Sequence, residues 1–184
     1  HIIRNMTEHD LEDSIKEMEK KIRESQIVML PGGFSGGDEP DGSAKFITAV
    51  FRNPRIKDAV TELLEKRDGL MLGICNGFQA LIKLGLLPAG KITDMTDDSP
   101  TLTYNRIGRH MSRLVRTRIA SVKSPWLAGV NVGDIHTVAI SHGEGRLIAS
   151  MEMMDELIKN GQIATQYVDL KGEPTMDIAH NPNG

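Results

Sequence analysis

The sequence predicts an α/β fold with a central, mostly parallel sheet flanked by helices and a smaller mixed or antiparallel sheet. Two short apolar runs, QIVMLP at 26–31 and GLMLGI at 69–74, have the continuous apolar pattern of strands buried in a parallel sheet. Each run is followed by a segment with helical character, and this alternation is typical of α/β folds. From residue 101 onward the segments are short and partly β-branched, which indicates antiparallel or mixed pairing.

The first element is predicted to be an amphipathic helix over residues 7–25. Its polar start is suitable for capping, because Thr7 is followed three residues later by Asp10. Its apolar residues recur at helical spacing and would form one buried stripe. This stripe consists of Leu11, Ile15, Met18 and Ile22.

The remaining elements follow from the same patterns. The first strand ends in a loop rich in glycine and proline, and loops at such strand ends often carry functional residues. The loop covers 31–43, and helices are predicted over 43–66 with a break at Asn53–Pro54, over 76–87 and over 151–161. Short strands are predicted at 101–105, 113–122, 136–141, 145–150 and 163–169. We expect one domain over residues 1–184, since this length does not require a second core.

The composition excludes several classes of function. The net charge of −3 does not favour electrostatic binding to nucleic acid or to an anionic membrane. Five arginines within residues 106–118 could bind phosphate, although a solvated or partner-facing strand is the simpler interpretation. A single cysteine fits a reducing cytoplasm and leaves no metal-ligand spacing among the scattered histidines. No apolar stretch approaches the roughly 18 residues of a membrane span.

The single cysteine, Cys75, lies in LGICNGFQA, where the second strand passes directly into a helix. A nucleophile elbow requires this order, with small residues on either side of the sharp turn, here Gly73 and Gly77. The partial positive charge of the helix N-terminus favours a thiolate, and the N–H of Asn76 would point at a developing oxyanion. A free cysteine can equally be a small packed apolar residue. Both interpretations of Cys75 therefore stay open at this level.

A second glycine-rich turn, PGGF at 31–34, follows the other buried strand. Its glycines let backbone N–H groups approach a ligand, so it could complete an oxyanion hole, cradle phosphate or form a plain turn. A thiol nucleophile also needs a base, usually a histidine. The candidates are His110, His136, His142 and His180, of which His142 in SHGEG is the most suggestive. Spacing along the chain does not decide among them.

Taken in order, five segments resemble the glutaminase domain of phosphoribosylformylglycinamidine synthase, which amidates formylglycinamide ribonucleotide. GICNGFQ is typical of class I glutamine amidotransferases in general. Its combination with SHGEGR and NPNG indicates, within that class, the phosphoribosylformylglycinamidine synthase family. The SPWL segment resembles the form of the enzyme in which the glutaminase is fused to the synthetase in one chain more than it resembles the separate small subunit. The segments are PGGFSGGDEPDGSAKF, GICNGFQ, SPWLAG, ISHGEGR and HNPNG. The resemblance runs from Asn5 to Gly184 and implies the flavodoxin-like fold of class I glutamine amidotransferases.

The resemblance implies a role for several residues. Cys75 would attack the side-chain amide of L-glutamine, form a glutamyl thioester and release ammonia. Gly33 and Asn76 would supply the oxyanion-hole amides, and Gln79 would hold the backbone groups of glutamine. A further segment would bind the α-amino and carboxylate ends of glutamine, which replaces the first interpretation of His142 as the base. It consists of His142, Gly143 and Glu144.

The resemblance also implies what lies outside these residues. The family's catalytic histidine and glutamate belong to a Pro-His-Pro-Glu motif downstream of NPNG, whereas this sequence stops at Gly184. HIIRN resembles the end of the family's second strand, so the chain is expected to be a fragment that lacks a first strand and helix and is inactive alone. No cofactor is implied in this domain. ATP and Mg are implied for an ATP-dependent synthetase domain of the same polypeptide, which would receive the ammonia.

Two other classes of protein remain as alternatives. A cysteine peptidase or stress-response hydrolase on a related α/β fold shares Gly-x-Cys-x-Gly, but it lacks Gln79 and the pairing of SHGEG with NPNG. A non-enzymatic interaction domain would simply pack Cys75 in its interior. Reactivity of the thiol toward a glutamine-like electrophile separates these alternatives from a glutaminase.

Overall fold

The computed structural model describes residues 1–33 and 44–184. It divides into two compact units, residues 1–97 and residues 98–184, which are described separately below. The expectation of a single domain over 1–184 stays a prediction. Within the described ranges, every helix is too short or too polar to cross a membrane.

The first unit is an α/β structure built on a parallel strand pair. Residues 27–30 pair with residues 70–73, and the register places Leu30 opposite Gly73. The Ile74 N–H extends the ladder by donating to the Leu30 carbonyl at 3.0 Å. The two strands therefore end side by side in a parallel pair, as predicted. The predicted full burial is wrong for β1, because Ile27 is 52% exposed and Met29 is 55% exposed. The elements are α1 (Glu8–Glu24), β1 (Ile27–Leu30), α2 (Lys45–Phe51), α3 (Pro54–Glu65), β2 (Leu70–Gly73), α4 (Asn76–Lys83) and α5 (Leu86–Ala89).

Two helices of this unit, α1 and α3, begin at residues whose side chains cap them. The Thr7 hydroxyl accepts from the Asp10 N–H, and the Asn53 side chain caps α3 by accepting from the Arg55 N–H. The helix α1 packs against α3 over a core of buried apolar side chains. This core includes Ile15, Ile22, Leu30, Ile56, Val60, Leu63 and Leu81. The capping start predicted at Thr7 is thus confirmed, and α3 begins at the predicted break, Asn53–Pro54.

Two further predictions within this unit are wrong in detail. The spacing predicts Leu11 in the buried stripe of α1, but this residue is 39% exposed, and the buried apolar residues of α1 are Ile15 and Ile22. The helix predicted over 76–87 ends at Lys83. Gly85 has a φ of +77°, and a Cβ there would lie 2.0 Å from the Thr93 Oγ1. The chain therefore turns at Gly85 instead of continuing the helix, as glycine at a left-handed position allows.

The second unit is dominated by antiparallel strands, as predicted. Its elements are β3 (Thr101–Tyr104), β4 (Met111–Ile119), a 3₁₀ turn (Pro125–Leu127), β5 (Ile135–His142), β6 (Glu144–Ile148), α6 (Met151–Lys159) and β7 (Thr165–Tyr167). One sheet pairs β3 with β6, and a second has the order β5–β4–β7. Its buried apolar side chains include Val115, Ile119, Leu157 and Val168. The predicted strands 113–122, 145–150 and 163–169 are corrected to β4, β6 and β7 with the bounds given above, because the strand pairing covers these residues only.

Candidate active site

Cys75 lies on a sharp turn between β2 and α4. It occupies the N-cap position of α4 with φ 54° and ψ −113°, and its side chain is exposed. A positive φ is unfavourable for a residue with a Cβ and costs on the order of 1–3 kcal/mol. Such strain persists only where the surrounding structure imposes it, and it clusters at active sites. The thiol is therefore presented on an elbow and is not a packed core residue.

The glycines on either side of Cys75 are required by close backbone contacts. A Cβ at Gly77 would lie 2.0 Å from the Leu30 carbonyl oxygen, so the first turn of α4 rests directly on the end of β1. A Cβ at Gly73 would lie 2.6 Å from the Gly77 carbonyl oxygen. Both contacts are to backbone atoms, which cannot move aside as a flexible side chain can. The small residues that the sequence places around the elbow are thus confirmed as part of its geometry.

The glycine turn after β1 lies against the cysteine. A Cβ at Gly32 would lie 2.9 Å from the Cys75 Cβ and 3.7 Å from its Sγ, so only the absence of a side chain allows this approach. Gly33 follows with a φ of +125°, a conformation that glycine adopts readily. The rest of the predicted loop, including Phe34 of PGGF, lies outside the described residues. An oxyanion role for the Gly33 amide stays a prediction.

Two predicted residues of the first turn of α4 are buried. Asn76 is 4% exposed and Gln79 is 7% exposed. The Gln79 N–H donates to the Cys75 carbonyl at 3.0 Å, which closes the first turn of the helix behind the thiol. These positions fix the orientation of the elbow. The oxyanion role of Asn76 and the glutamine-binding role of Gln79 stay predictions.

The SHGEG residues lie in the second unit at the junction of two strands. β5 ends at His142, Gly143 forms the link, and β6 begins at Glu144. Gly143 accepts a hydrogen bond from the Asn105 N–H at 2.8 Å through its carbonyl. Glu144 pairs with Tyr104 of β3. The predicted residues are therefore contiguous at one strand junction, and their role in binding glutamine stays a prediction.

Asn105 is a residue of this region that sequence reasoning missed. It is 2% exposed, and its side-chain amide donates to the carbonyls of His142 at 2.9 Å and Arg109 at 3.2 Å. Its Oδ1 lies 3.0 Å from the Nδ1 of His142. A lone asparagine between a strand and a turn carries no sequence pattern that marks such a role.

The NPNG segment packs on the same region. The Asn183 side chain donates to the Gly145 carbonyl at 2.9 Å, and the Arg106 N–H donates to the Asn183 carbonyl at 3.0 Å. The Asn181 carboxamide oxygen accepts from the Gly184 N–H at 3.0 Å and so shapes the segment. Two segments that the sequence marks separately, SHGEG and NPNG, are thus brought into contact.

The surroundings of His142 favour the neutral form of its ring. Burial lowers the pKa of His142 below its ordinary value, and the charge of His110 lowers it further. Its own backbone carbonyl opposes this shift by favouring the protonated ring. His110 itself contacts Ser141, with 3.0 Å between Nε2 and Oγ. A role as the catalytic base is proposed for none of His110, His136 and His180.

The elbow has the nucleophile and the backbone turn that thiol chemistry on a carbonyl group needs. An exposed thiol stands at a helix N-terminus, beside a glycine turn whose backbone lies against it. Within residues 1–33 and 44–184, no three His, Cys, Asp or Glu side chains are grouped closely enough to hold a metal ion. The arrangement suits covalent attack by Cys75.

Comparison with known proteins agrees with this arrangement. A family model for the CobB/CobQ-like glutamine amidotransferase domain matches residues 4–184. The phosphoribosylformylglycinamidine synthase subunit PurQ of Aquifex aeolicus is 33% identical over 184 residues, which are 100% of this chain and 72% of that protein. The subunit of the same name from Methanococcus maripaludis is 36% identical over 168 residues, 90% of this chain and 58% of that protein. The chain thus spans about 58% to 72% of the length of these relatives.

A solved structure supports the fold. The structure of PurLQS from Thermotoga maritima matches with a TM-score of 0.58 and 23% sequence identity, covering 85% of this chain and 60% of that chain. At this level of identity the likeness concerns the fold alone, and it confirms the α/β architecture predicted from the sequence. The match to the family model and the identity to the PurQ relatives show the family as well as the fold. The chain therefore belongs to the CobB/CobQ-like glutamine amidotransferase domain family, among relatives of the PurQ subunit of phosphoribosylformylglycinamidine synthase.

Proposed function

We propose that this chain is the glutaminase part of a phosphoribosylformylglycinamidine synthase of de novo purine biosynthesis. The observation that carries the proposal is the strained, exposed elbow at Cys75 with the Gly32 backbone against it. Membership of a glutamine amidotransferase family supports L-glutamine as the substrate. The names of the PurQ relatives support the purine pathway as the destination of the ammonia.

In the proposed reaction, the Cys75 thiolate attacks the side-chain amide carbon of glutamine. The carbonyl π-electrons move to oxygen, and the resulting oxyanion would be bound by the N–H groups of Asn76 and Gly33. Collapse of this intermediate breaks the C–N bond, and the nitrogen takes up a proton and leaves as ammonia. Water then hydrolyses the glutamyl thioester to glutamate and returns the thiol.

The ammonia would pass to an ATP-dependent synthetase that amidates formylglycinamide ribonucleotide. We propose no cofactor for the glutaminase part, and ATP with Mg for the synthetase. Residues 124–127, SPWL, favour a synthetase domain in the same polypeptide, and residues 125–127 form an exposed 3₁₀ turn. A purine-pathway enzyme of this kind is expected in the cytoplasm. The native gene on either side of this region decides between a fused and a separate synthetase.

The test compares two nitrogen sources in the native full-length enzyme, with its synthetase present. We expect Cys75→Ala to abolish glutamine-dependent amidation, with a loss of at least about 10³-fold, as for removal of other catalytic nucleophiles. Amidation from added ammonium chloride should persist, because the synthetase does not use the thiol. Persistence of that activity also shows that the variant is folded.

Two results would refute the proposal. One is glutamine hydrolysis by Cys75→Ala at a rate near that of the wild type. The other is a wild-type enzyme that amidates from ammonium chloride but never from glutamine.

A further inference from the structure

Asn105 is a buried amide whose polar atoms all lie at hydrogen-bond distance from neighbouring groups. It is 2% exposed and sits in the turn between β3 and β4. Its backbone N–H donates to the Gly143 carbonyl, and its side chain contacts His142 at both the carbonyl and the ring. A buried asparagine in this position is costly unless each group is satisfied. The contacts therefore fix its orientation.

The direction of each hydrogen bond follows from the chemistry of the partners. The Asn105 Nδ2 lies 2.9 Å from the His142 carbonyl and 3.2 Å from the Arg109 carbonyl, and carbonyl oxygens only accept. This leaves Oδ1, which also only accepts, facing the His142 Nδ1 at 3.0 Å. The Nδ1 must therefore donate. The ring carries its proton on Nδ1, which leaves Nε2 with a lone pair when the ring is neutral.

The ring is also held from another side. A Cβ at Gly145 would lie 2.8 Å from the Cε1 of His142 and 2.9 Å from its Nδ1, so the backbone of Gly145 is packed against the imidazole. The Asn183 side chain holds that backbone by donating to the Gly145 carbonyl. Rotation of the ring toward Gly145 is blocked, and its orientation is therefore defined by Asn105 and Gly145 together.

We propose that Asn105 is a positioning residue that holds His142 as the neutral Nδ1–H tautomer, so that its Nε2 accepts a hydrogen bond from an N–H group of the ligand. The contact of the ring with Asn105 is made by Nδ1, so a proton held there leaves the Nε2 lone pair as the acceptor of the neutral ring. Burial and the charge of His110 lower the pKa of His142, which agrees with a neutral ring. The identity of the donor as the α-ammonium group of glutamine rests on the proposed function, whereas the tautomer does not.

The tautomer can be measured directly in the 184-residue chain labelled with ¹⁵N-histidine. Long-range ¹H–¹⁵N spectra distinguish Nδ1–H from Nε2–H, and the His142→Gln variant identifies the signal. We expect Nδ1–H in the wild-type chain. A wild-type His142 in the Nε2–H form overturns the proposal without any test of Asn105.

Variants then test whether Asn105 sets the tautomer. In Asn105→Ala the acceptor is gone, and the ring should shift toward the Nε2–H form that a free imidazole prefers in water. In Asn105→Asp an oxygen acceptor remains, and Nδ1 should keep its proton. Asn181→Ala is the matched control, since Asn181 is another buried amide of this unit that does not contact His142. A tautomer that is unchanged in Asn105→Ala contradicts the proposal.

A kinetic measurement in the native full-length enzyme tests the consequence for the ligand. Loss of one hydrogen bond to the substrate should raise the KM for glutamine about tenfold in Asn105→Ala, while ammonia-dependent amidation stays near the wild-type rate. An unchanged KM together with a shifted tautomer refutes the positioning role. Failure of the proposed function has a different signature, namely a wild-type enzyme without Cys75-dependent glutamine hydrolysis.

Discussion

The two units hold their candidate site residues by different physical means. In residues 1–97 the elbow at Cys75 is fixed by backbone against backbone, because the ends of β1 and β2 and the start of α4 meet at glycines. In residues 98–184 the SHGEG junction is fixed by side-chain amides, chiefly those of Asn105 and Asn183. The first arrangement depends on the absence of side chains at the glycines, and the second depends on hydrogen bonds made by side chains. The two sites should therefore fail in response to different substitutions.

The ion pairs of arginine that the structure describes lie in the first unit. There Arg23 binds Glu19 at 3.1 Å and Arg52 binds Asp94 at 3.1 Å, while Arg67 donates to backbone carbonyls. In the second unit the guanidinium groups of Arg113 and Arg116 donate to backbone carbonyls, at 2.6 Å and 2.7 Å. Ion pairs near the surface are screened by salt and lost in acid, whereas hydrogen bonds to carbonyls are less affected by either.

The largest expected effect is that of adding one methyl group at the elbow. In Gly77→Ala the new Cβ would stand 2.0 Å from the Leu30 carbonyl oxygen, so backbone must move, and we expect a loss of stability of about 3 kcal/mol. In Gly145→Ala the nearest atoms, at 2.8 to 2.9 Å, belong to the side chains of His142 and Asn183. Displacing side-chain atoms costs less than displacing backbone, and we expect a loss of about 1 kcal/mol. Urea unfolding of both variants measures the difference.

A matched control separates crowding from the general effect of alanine. Among the described residues, no atom beyond the adjoining ones lies within 4 Å of where a Cβ at Gly129 would stand, and its φ is not positive. Gly129→Ala should therefore be nearly neutral. Equal losses for Gly77→Ala and Gly145→Ala would contradict the distinction between a backbone-held and a side-chain-held site.

A second prediction concerns the charge that His110 places beside His142. The pKa of His142 is lowered mainly by burial and then by His110, relative to an ordinary value of 6.5. The unfolded chain therefore takes up this proton first as pH falls, and the stability contributed by neutral His142 is lost below pH 6.5. In His110→Gln the like charge is gone, so the pKa of His142 should rise and this loss should shrink.

An NMR titration of His142 checks this shift. The control is His136→Gln, since His136 lies six residues away along the extended strand β5, about 20 Å distant. A pKa of His142 that is the same in His110→Gln and in the wild type would show that burial alone sets it.

The smallest effect expected is a difference in salt response between two carboxylates. The pKa of Glu19 is lowered chiefly by its hydrogen bond to Arg23, and that of Asp169 chiefly by the backbone N–H of Glu173. Both contribute stability that is present above the ordinary carboxyl pKa and is lost as pH falls through the lowered one. Added salt should raise the pKa of Glu19 toward its ordinary value more than that of Asp169. Equal shifts in about 1 M salt, where the Debye length is about 3 Å, would contradict this.

Much of the first unit follows from sequence because its signals are local. Continuous apolar runs mark β1 and β2, Thr7 marks the start of α1, and Asn53–Pro54 marks the break between α2 and α3. Gly73 and Gly77 mark the elbow. The end of α4 at Lys83 is missed because the apolar pattern continues to Leu87, although a glycine such as Gly85 is itself a local signal for a helix end.

The second unit is less predictable because its order is non-local. Asn105 reaches residues 37 positions away along the chain, and Asn183 reaches 38 positions to Gly145. An isolated asparagine belongs to no periodic or spaced sequence pattern from which such contacts could be predicted. The strands themselves are predictable, but their bounds shift where turns such as 105–110 take over the hydrogen bonding.

The central claim is that Cys75 is an elbow nucleophile for glutamine. Its most direct test is mass spectrometry of the native full-length protein after treatment with 6-diazo-5-oxo-norleucine, an electrophilic glutamine mimic. We expect a single adduct on Cys75 that forms more slowly when L-glutamine is added. Absence of labelling at Cys75, or labelling at the same rate with and without glutamine, would contradict the claim.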